Sequence, residues 1–187
     1  MNNIAIFASG SGTNAENLIR YFRTNPKGRV KLVLTNRPDA GVISRAQNHD
    51  IEVVVFNRGD LYQKGVVYEL LMGHEVDFIV LAGFLWLIPP SILEAFENKI
   101  VNIHPALLPK FGGKGMYGRF VHEAVIEAGE TQSGITIHRV NQHYDEGDIL
   151  FQATCPVDQG ETPDSLAGKI HQLEYEHFPR VVEQLLK

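Results

Sequence analysis

Asn3-Ile4-Ala5-Ile6-Phe7-Ala8 runs into Ser9-Gly10-Ser11-Gly12-Thr13-Asn14, and from Ala15 to Phe22 apolar residues recur at Ala15, Leu18, Ile19 and Phe22. The first stretch is short and, from Ile4 on, apolar, the pattern of a strand buried on both faces. The last has the spacing of an amphipathic helix. Glycines between them let the backbone approach a ligand, and the free N–H groups of the helix start face it. Strand, glycine turn and helix together make an anion cradle. A helix end contributes only about 0.3–1 kcal/mol per charge interaction, so a phosphate also needs several direct hydrogen bonds. Thr13 and Asn14 can supply some of them. A simple N-capped turn would leave the same trace. The phosphate reading is favoured because this is the first β-α turn of the chain.

Outward from this unit the alternation continues. Val30–Leu34 reads as a second strand, Gly41–His49 as a helix and Ile51–Phe56 as a third strand. Leu61–His74 reads as one helix and Phe78–Leu81 as the fourth strand; no boundary is set within Asn57–Lys64. Pro89 and Pro90 fit the start of a helix over Ser91–Phe96, and Ile100–Ile103 is a buried strand. Val121–Ala128 is helical, Ser133–Val140 alternates like a strand, and Ile149–Val157 reads as the last strand. Thr162-Pro163-Asp164 opens a long helix to Leu186, which Pro179 is expected to kink or break. Strands alternating with helices predict an α/β fold: Rossmann-like, with a mostly parallel central sheet of about seven strands and helices on both faces.

Composition narrows the class. The 187 residues suit one domain, 1–187, with a sizeable core. A net charge of −5 with scattered basic residues carries no nucleic-acid footprint. The single cysteine, Cys155, cannot form an internal disulfide, and no Cys/His cluster has metal spacing. No apolar run is long enough to span a bilayer, and a strand begins at once where a signal peptide would lie. These features lead us to expect a cytoplasmic protein without a metal or membrane partner.

Chemistry concentrates at Asn102-Ile103-His104-Pro105. Asn102 and His104 are two apart, so on a strand both point to one face. The carboxyl end of such a strand is where open α/β sheets hold ligands. An amide that can donate to an oxygen, beside an imidazole that can move a proton, suits carbonyl chemistry; the bland alternative is a strand end whose polar groups satisfy loop backbone. Gly83 to Pro90 is an apolar loop at the same edge, able to hold a flat ring or simply plug the core. Lys110 to Gly118, with four glycines, reads as a mobile lid. Gly10-x-Gly12-x-x-Ala15 also matches the loose dinucleotide fingerprint. The second strand, however, ends in Thr35-Asn36-Arg37 without the carboxylate an NAD enzyme needs, which leaves an NADP enzyme as the runner-up. That reading gives Asn102, His104 and Asp145 no task.

Ser9-Gly10-x-Gly12-Thr13-Asn14, Leu81-Ala-Gly-Phe84, Asn102-Ile-His-Pro-Ala-Leu-Leu-Pro109, Gly134-x-Thr136-x-His138 and Tyr144-Asp-Glu-Gly147 occur in this order. With these motifs the chain closely resembles the phosphoribosylglycinamide formyltransferases, folate-dependent enzymes of purine synthesis, over essentially its whole length. The resemblance implies transfer of a formyl group from 10-formyltetrahydrofolate, a co-substrate, to the amine of glycinamide ribonucleotide. It implies that Gly12, Thr13 and Asn14 hold the substrate's phosphate and ribose, and that Glu174 takes its ammonium end. Leu85, Trp86, Leu87 and Ile88 would border the folate pterin, with Asn102 and the Asn141–Asp145 segment, including Tyr144, closing the other side. Asn102, His104 and Asp145 would be the catalytic trio, and Thr136 and His138 would support them by positioning a water and Asp145. A monomer or weak homodimer acting on small molecules alone is the implied form.

The chemistry asks for these residue types. An oxyanion develops on the formyl group, which Asn102 and a protonated His104 can stabilise. A proton must pass from the amine to the folate nitrogen, and Asp145 can relay it. Asp145 is expected to raise the His104 pKa, and Asp148 to raise that of Asp145. Compared with the family, Trp86 stands where many members have Arg, Asp148 where Pro or a small residue is usual, and the 110–118 loop is longer than in some members. Two other classes are weighed: hydrolysis of formyltetrahydrofolate by the same trio with water as acceptor, and a catalytically silent nucleotide- or folate-binding module, against which the intact Asn102, His104 and Asp145 argue.

Overall fold

The computed structural model describes residues 1–187. In chain order the elements are β1 (Asn2–Phe7), α1 (Thr13–Phe22), β2 (Gly28–Thr35), α2 (Val42–Gln47), β3 (Glu52–Val55), α3 (Arg58–Tyr62), α4 (Val66–Gly73), β4 (Phe78–Leu81), α5 (Pro90–Ala95), β5 (Ile100–His104), α6 (Arg119–Glu127), β6 (Gln132–Arg139), β7 (Ile149–Pro156) and α7 (Pro163–Leu185). All seven strands join one sheet in the order β3-β2-β1-β4-β5-β6-β7. Strands β1 to β5 are mutually parallel, and β6 runs antiparallel to both β5 and β7. This is the expected Rossmann-like α/β architecture.

Two apolar layers hold it. Ile4 and Ile6 of β1 belong to one layer with Leu18 of α1, Val42 of α2, Val125 of α6 and Phe178 of α7. Ala5 and Phe7, pointing the other way, pack with Leu61 of α3, Leu71 of α4 and Ile92 of α5. Alternation along a strand thus sends every second residue to each layer, which is why the run from Ile4 to Ala8 is apolar throughout. Each fully buried side chain of this size contributes about 1.5–3 kcal/mol relative to exposure.

Strand order places the ligand edge. β2 lies on one side of β1 and β4 on the other, so a crevice opens beyond the carboxyl ends of β1 and β4. Ser9 fastens that crevice. Its N–H donates to Gly83 O at 3.0 Å, and its hydroxyl accepts from Leu85 N at 3.1 Å and donates to Asn36 Oδ1 at 2.6 Å.

Two expectations are corrected. Leu61 to His74 is not one helix. A capping box starts α3, with Asp60 N donating to Asn57 Oδ1 and Asn57 N to Asp60 Oδ2, each at 3.1 Å. Gly65, at φ 67°, then separates α3 from α4. Pro179 does not break α7. A proline lacks the N–H that would bond the carbonyl four residues back. Here that carbonyl, on Tyr175, accepts from Asn17 Nδ2 of α1 at 3.0 Å, so the lost bond is replaced by one that docks two helices.

Candidate active site

β5 and its antiparallel neighbour β6 build the floor. Their register sets Asn102 opposite His138 and His104 opposite Thr136, so all four side chains share one face of the sheet. Thr136, fully buried, donates to Ala106 O at 2.7 Å and accepts from Leu108 N at 3.0 Å and Gln152 Nε2 at 2.9 Å. It therefore fixes the chain just after His104. His138 donates through Nδ1 to Arg139 O at 2.7 Å, which leaves Nε2 to accept from Asn102 Nδ2 at 3.0 Å. This tautomer follows from the partners.

Asp145 arrives from the turn between β6 and β7, with its backbone at φ 57°. Asp tolerates this left-handed region better than most residues. Its Oδ1 lies 3.4 Å from Asn102 Nδ2, and its Oδ2 accepts from Gly113 N at 3.0 Å and lies 3.5 Å from His104 Nδ1. His104 Nε2 sits 2.7 Å from Phe111 O, so that nitrogen carries the proton and Nδ1 faces the carboxylate bare. Phe111 is also at positive φ, 55°. A bulky residue there costs about 1–3 kcal/mol, tolerated where surrounding contacts fix it. Asn102, His104 and Asp145 thus meet, as the sequence reading required.

The expected coupling is present, since Asp145 does raise the His104 pKa, but it does not set the net direction, and the expected effect of Asp148 on Asp145 is absent. His104, 3% exposed, lies below the ordinary imidazole value, not above it. Burial pulls it down, outweighing the Asp145 carboxylate and the Phe111 carbonyl, and the neighbouring His138 lowers it further. Asp145 lies below the usual carboxylate range although burial pushes it up, because His138 and His104, when protonated, and the Gly113 N–H favour the charged form. Asp148 has no part in that balance.

Above the floor is a cavity of about 620 Å³ walled by the glycine turn, residues 82–86, 102–105 and 113–118, Tyr144 and Asp145, with His122, His171 and Glu174 on the remaining side. Gly12 caps α1 at φ 79°, without a side-chain cap, so N–H groups of the first turn are open to the cavity. A Cβ on Gly12 would stand 2.5 Å from Val42 Cα, so the turn has room for glycine only. Asn14 Nδ2 donates to Glu174 Oε2 at 2.8 Å, joining the glycine turn to α7. Glu174 is 6% exposed, and burial pushes its carboxyl up to about 7 against the Asn14 bond.

Of the residues expected around a pterin, Leu85, Trp86 and Tyr144 line this cavity. Tyr144 reaches across it, its hydroxyl 3.4 Å from Leu85 O. Leu87 and Ile88 do not line it: the Leu87 carbonyl accepts from Tyr62 at 2.8 Å, and Ile88 is 3% exposed within the core. Asn141 also stands aside, its Oδ1 accepting from His143 N at 2.9 Å. Residues given no role from sequence are present instead. Arg58 lies 4.7 Å above the Trp86 ring, and Tyr62 flanks it, which assigns the unplaced 57–64 segment to supporting that ring. His122, 3% exposed, is held by burial at about 4, lowered also by His171 and His104, and its Nδ1 has no partner. His171 was legible in principle, since it stands three residues before Glu174 on one helix face.

Residues 2–182 match the family described as Formyl transferase. A phosphoribosylglycinamide formyltransferase of Vigna unguiculata is 41% identical over 97% of this chain and 60% of its own length. Its Bacillus subtilis counterpart is 36% identical over 100% of this chain and 95% of its own. Among solved structures, glycinamide ribonucleotide transformylase 1 from Geobacillus kaustophilus superimposes with a TM-score of 0.89 at 37% identity, covering 100% of both chains. The chain spans 60% and 63% of the two chloroplastic relatives it matches.

Proposed function

The chain belongs to the formyl transferase family, and from that premise we propose that it is a single-domain phosphoribosylglycinamide formyltransferase using 10-formyltetrahydrofolate. The observation that carries this reading is the meeting of Asn102, His104 and one Asp145 carboxylate at the floor of a cavity whose far wall is the glycine turn. Gly12, Thr13 and Asn14 hold the phosphate and ribose, where open N–H groups and the helix end favour an anion. Glu174 takes the glycinamide end. Leu85, Trp86 and Tyr144 flank the folate. It acts on small molecules in the cytoplasm, as a monomer or weak homodimer.

In the transfer, the neutral amine attacks the formyl carbon. Asn102 Nδ2 turns its weak 3.4 Å contact from Asp145 to the developing oxyanion. Burial keeps His104 neutral at rest, so its bare Nδ1 accepts the proton that the amine loses as the new C–N bond forms. The resulting imidazolium is stabilised by Asp145 at 3.5 Å. It then returns the proton, directly or through Asp145, to the folate nitrogen as the old C–N bond breaks. Thr136 and His138 act by position: the first fixes the loop behind His104, the second orients Asn102.

The deciding assay supplies 10-formyltetrahydrofolate with and without glycinamide ribonucleotide. Release of tetrahydrofolate that depends on the ribonucleotide is the expected result. Release without it would mean hydrolysis, and no release would mean a binding module; either result overturns the proposal.

A further inference from the structure

An α-amine is largely an ammonium ion near neutral pH, since such groups have pKa values of about 7.7–8.0. On the functional reading above, that ammonium loses two protons on its way to an amide. One goes to the folate nitrogen as its bond to the formyl carbon breaks. The other must reach solvent. During turnover the front cavity is filled by two substrates, and bound ligands of this kind have 70–90% of their surface covered, so the front offers little path for it.

Behind Asp145 lies a second hollow of about 400 Å³, formed by Leu108 and Pro109, Gly112 and Gly113, and the turn from Tyr144 to Gly147, with Ile149 at its rim. Gly113, Tyr144 and Asp145 line both this hollow and the substrate cavity, so these residues are the partition between them. The Asp145 carboxylate sits in that partition: Oδ2 accepts from Gly113 N at 3.0 Å and lies 3.5 Å from His104 Nδ1. Its side chain keeps 11% exposure, against 4% for His104. At Gly112 a Cβ would meet Leu108 Cδ2 at 2.5 Å and the Asp145 Cβ at 3.3 Å, so the root of the Asp145 side chain is packed against this wall of the hollow. Glu146 is the only other carboxylate lining the hollow, and it is exposed.

We propose that the second ammonium proton leaves through the partition: from the amine to His104 Nδ1 or Asp145, and from the Asp145 carboxyl to water in the rear hollow, with Glu146 as the acceptor at its mouth. The charge balance closes, because the ammonium N–H bond breaks, the Asp145 O–H bond forms and breaks, and the positive charge passes to solvent. The front cavity need not open for this.

The test fills or neutralises the rear hollow without touching the front. Ile149→Trp plugs the rim at a residue that is 49% exposed and therefore tolerant of size. Glu146→Gln removes the outer acceptor while keeping its shape. For each variant, kcat, the two KM values and the solvent deuterium isotope effect on kcat are measured. A pH indicator follows proton release. Ile149→Trp should lower kcat about tenfold, a fraction of what one proton-transfer group supplies, with both KM values within about twofold. Its isotope effect should rise and proton release should slow in step. Glu146→Gln should move both in the same direction by less. Unchanged kcat and isotope effect in both variants would overturn the route, as would a lower kcat with an unchanged isotope effect. Absence of formyl transfer by the unmodified protein would overturn the functional reading and the route with it, so the two failures are distinguishable.

Discussion

His104 commits one nitrogen to Phe111 and keeps the other bare beside Asp145. Removing that acceptor by His104→Ala should lower kcat by about 10²–10⁴, the range of a positioned acid or base, with little change in either KM. Steady-state kinetics checks it; an unchanged turnover number would remove His104 from the mechanism. Because burial depresses its pKa, the His104 ring itself, followed by NMR in the free protein, should titrate below the ordinary imidazole value of about 6.5, and titration above it would contradict this. Glu174 works in the other direction. Folding raises its carboxyl from 4.5 to about 7, so the folded state holds the proton more tightly. Its contribution is most favourable below pH 4.5 and is lost as pH rises through 7, a difference of about 3 kcal/mol. Glu174→Gln should therefore raise Tm at pH 8 and leave it nearly unchanged at pH 5; equal shifts at both pH values would contradict this. At this scale Asn102 and His104 were legible because a strand repeats every two residues. Asp145 was not legible from pattern: it stands in an irregular turn, and only the family resemblance joined it to the pair. The direction of the His104 shift was hidden too, because burial is a tertiary property.

Among the elements, the first β-α unit was the most readable and is the most sensitive. Gly12 combines φ 79° with a Val42 backbone atom 2.5 Å from where a Cβ would lie. Gly12→Ala should destabilise the fold by about 1–3 kcal/mol and raise the KM for the ribonucleotide more than that for the folate. Urea unfolding and the two KM values measure this; wild-type stability and KM would mean the turn is not held as described. β4, bounded and wholly apolar, was read at its observed limits, Phe78–Leu81. The break at Gly65 was missed because a glycine inside a helical pattern signals either an interior residue or a cap. Pro179 misled for a related reason. Whether a proline ends a helix depends on what satisfies the freed carbonyl, and Asn17 lies 158 residues away in sequence.

For the molecule as a whole, alternation of strands and helices indicated a mostly parallel sheet, but not its order or the reversal of β6. Those depend on which faces cover which. α7 shows the cost of uncovering one. Phe178 of α7, fully buried in the larger apolar layer, should cost about 3–5 kcal/mol when truncated to Ala, read as a fall in the urea midpoint without a change in slope. The same helix carries Glu174 and His171 into the cavity, so packing and substrate recognition share one element. The antiparallel β6 is what brings His138 and Thr136 beside Asn102 and His104. Formyl transfer is decided by the fate of a single carbon. A single-turnover reaction with 10-formyltetrahydrofolate labelled at the formyl carbon, plus glycinamide ribonucleotide, should place the label in the ribonucleotide's new amide, and His104→Ala should place almost none there. Label recovered as formate, or an undiminished yield from His104→Ala, would contradict it.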